Sequence, residues 1–141
     1  MSDMGRKYVS YNEVENYIGK DNMVSFFEAM RDKFSLDNKK KVKIEFINYY
    51  LYSEYDTRFI EGKEVPATYD YLYELYDILG NAFFEKFLNH FRGKRLSVSY
   101  THVRNALVNN AIQNGKSPKE VAEKYGITLS NVYKIKKRYT H

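Results

Sequence analysis

The stretch from Ser117 to Ile135, SPKEVAEKYGITLSNVYKI, constrains this chain more than any other. Serine is a preferred N-cap and proline is preorganised for the first helical position. Glu120 stands three residues after the cap, where a capping box places it. Val121, Ala122 and Tyr125 then form one apolar stripe, with the small Ala122 where a second helix would approach most closely. Gly126 follows at the position where a left-handed backbone costs glycine little. Ile127 plugs the turn, Thr128 caps a second helix, and Val132 with Ile135 turns that helix back onto the first. The pattern predicts two short helices joined by a tight turn, a helix-turn-helix.

The second helix would leave Leu129, Ser130, Asn131, Tyr133, Lys134 and Lys137 facing outward. A short, polar, basic face of this kind suits hydrogen bonding to base edges and phosphates in a major groove. The bland alternative is a helical hairpin with a solvated face. The agreement of caps, small residue, turn glycine and apolar plug in one register favours a DNA-binding unit. Ser130, Asn131, Tyr133 and Lys134 are expected to face bases, with Thr128 and Leu129 beside them. Asn131 is the natural adenine reader, because its amide both donates and accepts. Arg104, Lys116, Lys119 and the basic residues from Lys134 to Arg138 (Lys134, Lys136, Lys137 and Arg138) are the expected phosphate contacts, with Ser117 beside them.

Charge is segregated in the same sense. After Phe91 there are eleven Lys or Arg against two acids, Glu120 and Glu123, for a net +9, whereas residues 1–91 hold twelve against sixteen, for a net −4. A basic end on an acidic body is the footprint of a chain that meets a polyanion at one end.

At 141 residues there is room for one domain or two small ones, and 43% apolar with 29% charged residues indicates a folded chain. The absence of cysteine excludes disulfides, thiolate zinc fingers and cysteine nucleophiles, and it fits a reducing compartment; a cytoplasmic location is expected. No apolar run approaches the roughly 18 residues of a membrane span, and Met1–Ser10 has no signal-peptide core. Fifteen Tyr and nine Phe with no Trp require many rings to pack, in a core or across a subunit interface.

Taken in order, Ser10 caps a helix over Tyr11–Ile18, which Gly19 ends. A second helix restarts at Asp21 or Asn22 through Met23, Phe26, Phe27, Met30 and Phe34, with a break over Ser35–Asn38. Lys39–Lys41 reads as a solvated helix start. Val42, Ile44 and Phe46 alternate like a strand, yet the length of Val42–Tyr55 without Gly or Pro favours a helix, and its rings at Phe46, Tyr49, Tyr50, Tyr52 and Tyr55 are too many for one face. Arg58–Ala67, with Gly62 and Pro66, is the best linker. Helices follow from Thr68 or Asp70 to Leu79 and from Asn81 to Phe91. The alternation in Lys94–Ser99 marks a short, half-exposed strand, and a lone strand suggests pairing with its copy in a dimer. A helix from Thr101 through Ile112 would support the C-terminal pair.

Catalytic signatures are missing from this reading. His90, His102 and His141 fall on different elements without acidic or thiol companions at ligand spacing, so neither metal nor other cofactor is expected. No Gly-rich phosphate loop is present, and the acidic pairs sit at surface helix positions. The chain reads as a non-enzyme.

Residues from about Tyr71 to Tyr139 resemble the Mor/C family of phage transcription activators. The residues that carry this are Leu79-Gly80, Phe91-Arg92-Gly93-Lys94-Arg95-Leu96-Ser97-Val98, Asn105–Ile112, Asn114-Gly115-Lys116-Ser117 and Tyr125-Gly126-Ile127 through Tyr133. The resemblance implies a homodimer on double-stranded DNA, with helix-turn-helix units in adjacent major grooves and the strand residues Lys94, Arg95, Ser97 and Ser99 at the backbone or minor groove. It also implies recruitment of RNA polymerase. The family's strand ends in a proline where this chain reads Ser99-Tyr100, and the first 65 or so residues have no counterpart.

The expected fold is therefore all-α with one short strand. Residues 1–66 form a helical, aromatic-rich module, 67–98 a helical dimerisation segment plus strand, and 99–141 the helix-turn-helix domain. The expected function is a sequence-specific transcription regulator of phage or mobile-element origin. A different class of function competes with it: a protein-binding inhibitor that uses the N-terminal half, with the helix-turn-helix serving autoregulation.

Overall fold

A computed structural model describes residues 8–37, 40–46 and 67–139. The architecture is mostly helical with one small two-stranded antiparallel sheet. In chain order the elements are α1 (Tyr11–Ile18), α2 (Lys20–Asp37), β1 (Lys41–Glu45), α3 (Ala67–Leu79), α4 (Asn81–His90), β2 (Arg95–Ser99), α5 (Tyr100–Gln113), α6 (Pro118–Tyr125) and α7 (Leu129–Tyr139).

Local chemistry explains the first helices. The Ser10 hydroxyl accepts from the Glu13 N–H at 3.1 Å, and the Gly19 N–H closes α1 on the Glu15 carbonyl at 2.7 Å. The second helix starts one residue earlier than Asp21 and extends to Asp37, into the expected break over Ser35–Asn38. Its buried stripe of Met23, Phe26, Phe27, Met30 and Phe34 ends at Phe34, and Ser35-Leu36-Asp37 holds no Gly or Pro to stop the helix there.

Two expectations are corrected around residue 42. The segment from Lys41 to Glu45 is a strand and not a helix, and β2 is not a lone strand. The two pair antiparallel with Lys41 opposite Ser99, Lys43 opposite Ser97 and Glu45 opposite Arg95. Alternation decides it: Val42, Ile44, Leu96 and Val98 all face inward and are buried, while the alternate residues face out. The ladder continues at both ends, with Phe46 N–H to Lys94 carbonyl at 2.9 Å and Tyr100 N–H to Lys40 carbonyl at 2.8 Å. On the other edge of β2 the Val9 N–H donates to the Arg95 carbonyl at 2.8 Å. The pairing that a dimer was expected to supply is thus made within one chain. The expected helix beyond Phe46, its tyrosines at 49, 50, 52 and 55, and the linker from Arg58 to Pro66 lie outside the described residues; Ala67 begins α3.

All three expected segments contribute to one buried cluster. Phe26, Phe34 and Ile44 come from the first, Leu72, Phe84 and Phe87 from the second, and Val103, Val108, Val121 and Val132 from the third. Helix α2 packs on α3 and α5, and α5, α6 and α7 pack on one another. A Lys33–Glu74 ion pair at 3.5 Å ties α2 to α3 at the surface. None of the described helices is long and apolar enough to cross a membrane.

The junction where β2 becomes α5 is held by α1. Ser99 caps α5, its hydroxyl accepting from the His102 N–H at 3.1 Å, and the Ser99 N–H donates to the Tyr11 hydroxyl at 3.2 Å. The Tyr11 ring stacks on the His102 imidazole with centroids 3.6 Å apart, and Phe27 meets the same imidazole edge-on. Burial holds the His102 pKa below its ordinary value. An imidazole that resists protonation when folded binds protons more readily when unfolded, so its contribution is complete above the unfolded value near ~6.5 and is lost as pH falls through the folded one. Lowering the pH from about 7.5 to about 5.5 should therefore reduce the urea midpoint of the wild type. His102→Phe, which keeps the stack and removes the titration, should show a flatter dependence over the same interval.

Candidate nucleic-acid interface

The C-terminal unit is built as its local signals require. The Ser117 hydroxyl accepts from the Glu120 N–H at 3.2 Å and donates to the Glu120 carboxylate at 3.2 Å, with Pro118 in the first turn. Val121, Ala122 and Tyr125 are buried. Gly126 takes up a left-handed conformation, φ 66° and ψ 35°, and the Ile127 N–H returns to the Ala122 carbonyl at 3.1 Å in a Schellman closure. Two residues later the Thr128 hydroxyl accepts from the Asn131 N–H at 3.1 Å and opens α7.

Only Val132 and Ile135 of α7 are fully buried, at 0% and 4% exposure. Leu129, Ser130, Asn131, Tyr133, Lys134, Lys136, Lys137 and Arg138 are all exposed, and Tyr139 is half-buried. Leu129 and Tyr133 keep 44% and 52% of their surface in solvent, so two large apolar groups stand on a face that is otherwise polar and basic. The helix contains no acid. Lys136, Lys137 and Arg138 occupy the last turn, where cations also favour the helix dipole, so part of this charge has a purely structural use. Dipole compensation leaves Ser130, Asn131, Tyr133 and Lys134 unexplained.

The remaining expected contacts divide according to what the fold already asks of them. Lys116 and Lys119 are exposed around the start of α6. Ser117 and Thr128 have their hydroxyls committed to helix caps. Arg104 is half-buried and grips the buried Asn105, its Nε and a terminal nitrogen both donating to Oδ1, at 3.3 and 3.1 Å. Lys94, Arg95 and Ser97 belong to the ribbon and are half-buried, and Arg95 pairs with Glu45 across the strands at 3.8 Å.

Lys41, read from the sequence as part of a solvated helix start, and Lys43, which that reading passed over, stand exposed on the outer row of β1 opposite Ser99 and Ser97. The Val42-Ile44-Phe46 alternation was the available signal. Tyr8 bridges in parallel to Arg95, and hydrogen bonding from Arg95, then from Lys43, pulls its phenol pKa below the ordinary value. The ribbon thus carries its own cluster of cations. Among the described residues no group of three or more His, Asp or Glu could hold a metal ion.

No protein-family profile matches the chain, and the comparisons with curated proteins and with solved structures gave no significant match.

The turn makes a direct test of how this unit is held. A Cβ on Gly126 would meet nothing within 4 Å, so Gly126→Ala should lose only the left-handed backbone term, about 1–2 kcal/mol. Gly126→Asn should recover part of that loss. Thr128→Ala should cost about 1 kcal/mol through the lost cap. Urea unfolding with unchanged m-values checks all three.

Proposed function

We propose that this chain is a non-catalytic, sequence-specific DNA-binding transcription regulator, in which α6, its turn and α7 act as a helix-turn-helix with α7 as the reading helix. The observation that carries this reading is α7 itself. One side is locked into the core by Val132 and Ile135, and the other presents an acid-free row of polar, basic and exposed apolar groups. Its 11 residues span roughly 16 Å at about 1.5 Å per residue, a length suited to a major groove about 12 Å wide. Ser130 and Asn131 lie in its first turn, where reading helices place base contacts.

Roles follow from residue type and exposure. Asn131, Ser130, Tyr133 and Lys134 meet base edges, with the Leu129 side chain available to a thymine methyl. Lys116, Lys119, Lys137 and Arg138 hold phosphates. Ser117 and Thr128 contribute by fixing helix starts, since their hydroxyls are already used. Arg104 orders Asn105 and acts on DNA only through that. Lys94, Arg95 and Ser97 extend the footprint along the ribbon. A homodimer remains part of the proposal, with its contact away from the β1 edge of β2, which is filled within the chain. Polymerase recruitment and phage origin rest on the Mor/C resemblance alone.

The test is binding of the full chain to DNA from its own genetic neighbourhood at two salt concentrations, with footprinting. Two protected half-sites about 34 Å apart and strong weakening by salt are expected. Asn131→Ala should lose about 1–3 kcal/mol of discrimination at one base position while non-specific binding is kept. Lys119→Ala should weaken all sequences alike and lower the salt slope by about 0.9. Salt-sensitive binding without any preferred site, or identical behaviour of the two variants on all sequences, overturns the reading.

A further inference from the structure

Among the described residues, one chemically specific contact joins the end of α6 to α2, while Tyr139 of α7 lies in a cleft with Val24 and Phe27 nearer the start of the same helix. Arg31, near the middle of α2, lays its guanidinium over the Tyr125 ring at 4.7 Å and donates from a terminal nitrogen to the Lys124 carbonyl at 3.3 Å. Lys124 and Tyr125 are the last two residues of α6, and Gly126 begins the turn into α7. The last carbonyls of a helix lack intrahelical donors, and a cation there is favoured by the helix dipole. Arg31 therefore caps the C-terminus of α6 from 93 residues away in sequence and grips the aromatic ring at the pivot between α6 and α7.

Its surroundings make this contact stand out. Cavities of about 300 Å³ and 220 Å³, both lined by Glu28, Leu107, Lys124 and Tyr125, lie beside the pair, so α2 and α6 are not packed along their lengths. Glu28 and Asp32 face the same cleft and favour a cation within it. The Arg31 Nε is buried with no hydrogen-bond partner, a desolvation cost that the stack and the carbonyl contact must offset. A lysine would keep the charge and lose the flat face that stacks.

We infer that Arg31 is a positioning residue: through Tyr125 and the Lys124 carbonyl it fixes the angle of the α6–α7 unit against α2, and thereby how well α7 is preorganised for its site. The inference rests on the DNA-binding reading, but its physical half does not need DNA. Full-length wild type, Arg31→Lys and Arg31→Met (which keeps an apolar stem) should be compared by amide hydrogen exchange and by DNA binding. In Arg31→Met, exchange should rise by about tenfold in the last turn of α6, in Gly126–Thr128 and in α7, and stay as in wild type in the ribbon and α4. Arg31→Lys should fall between the two. Affinity for the preferred site should drop by about tenfold, with non-specific affinity and salt slope unchanged. Unchanged exchange in α6 and α7, or a rise spread evenly over the whole chain, overturns the inference. So does selective loosening with full specific affinity. Selective loosening in a chain that binds no DNA in any form upholds the latch and defeats the functional reading instead.

Discussion

Helix α5 is the wall against which both ends of the molecule are built. It buries Val103, Asn105, Leu107 and Val108, and half-buries Ala106, Ala111 and Ile112, so apolar groups are needed on several sides at once. Helix α2 packs on one side, α6 and α7 pack elsewhere on it, and β2 runs straight into its start. The oxygen of the buried Asn105 accepts two donors from Arg104, and an unpaired carbonyl in that place would cost about 1–3 kcal/mol. The start of α5 is likewise satisfied twice over, by the Ser99 cap and by the Tyr11 hydroxyl on Ser99. A helix so fixed at its start transmits the position of the N-terminal elements to the C-terminal ones.

What was legible in the sequence was what depends on near neighbours. The caps at Ser10, Ser117 and Thr128, the left-handed Gly126 and the inward pair Val132 and Ile135 involve residues a few positions apart, and each stands as read. Pairing of β1 with β2 was not legible, because its partners lie some fifty residues apart and alternation does not name a partner. The same distance effect hid Arg31. Nothing next to it in sequence marks it as different from any other arginine on a helix, and its role exists only once α2 has met α6. In a reading of the sequence the length of Val42–Tyr55 without Gly or Pro outweighs the Val42-Ile44-Phe46 alternation, yet the alternation is the better signal, since a helix that buried Val42 and Ile44 would have buried Lys43 or Glu45 with them.

For the candidate interface, type and position pointed to residues that the fold then uses for itself. A serine or threonine before a helix is valuable as a cap because its oxygen is engaged by the backbone, and the same engagement removes that oxygen from a ligand. Arg104 follows the same logic through Asn105. A contact inventory drawn from residue type alone therefore counts twice the groups that hold a helix in place. The exposed side chains at the start of α7, Leu129, Ser130, Asn131, Tyr133 and Lys134, with the exposed lysines around the start of α6, make a smaller and more coherent set.

If α7 reads DNA as proposed, that smaller set ties affinity to geometry in a definite way. The backbone of α7 is already ordered by the Thr128 cap and by two residues in the core, so docking it in a groove would demand little further backbone ordering. Long lysine side chains tolerate displacement, because phosphate attraction falls off gradually with distance. Base contacts from a short side chain such as Asn131 tolerate far less, since a hydrogen bond weakens steeply with angle. Any small rotation of the α6–α7 unit would then erode discrimination before it eroded attraction. On the proposed function, selectivity would depend on whatever fixes that rotation, and the stack of Arg31 on Tyr125 with its bond to the Lys124 carbonyl would then matter although neither would touch a base.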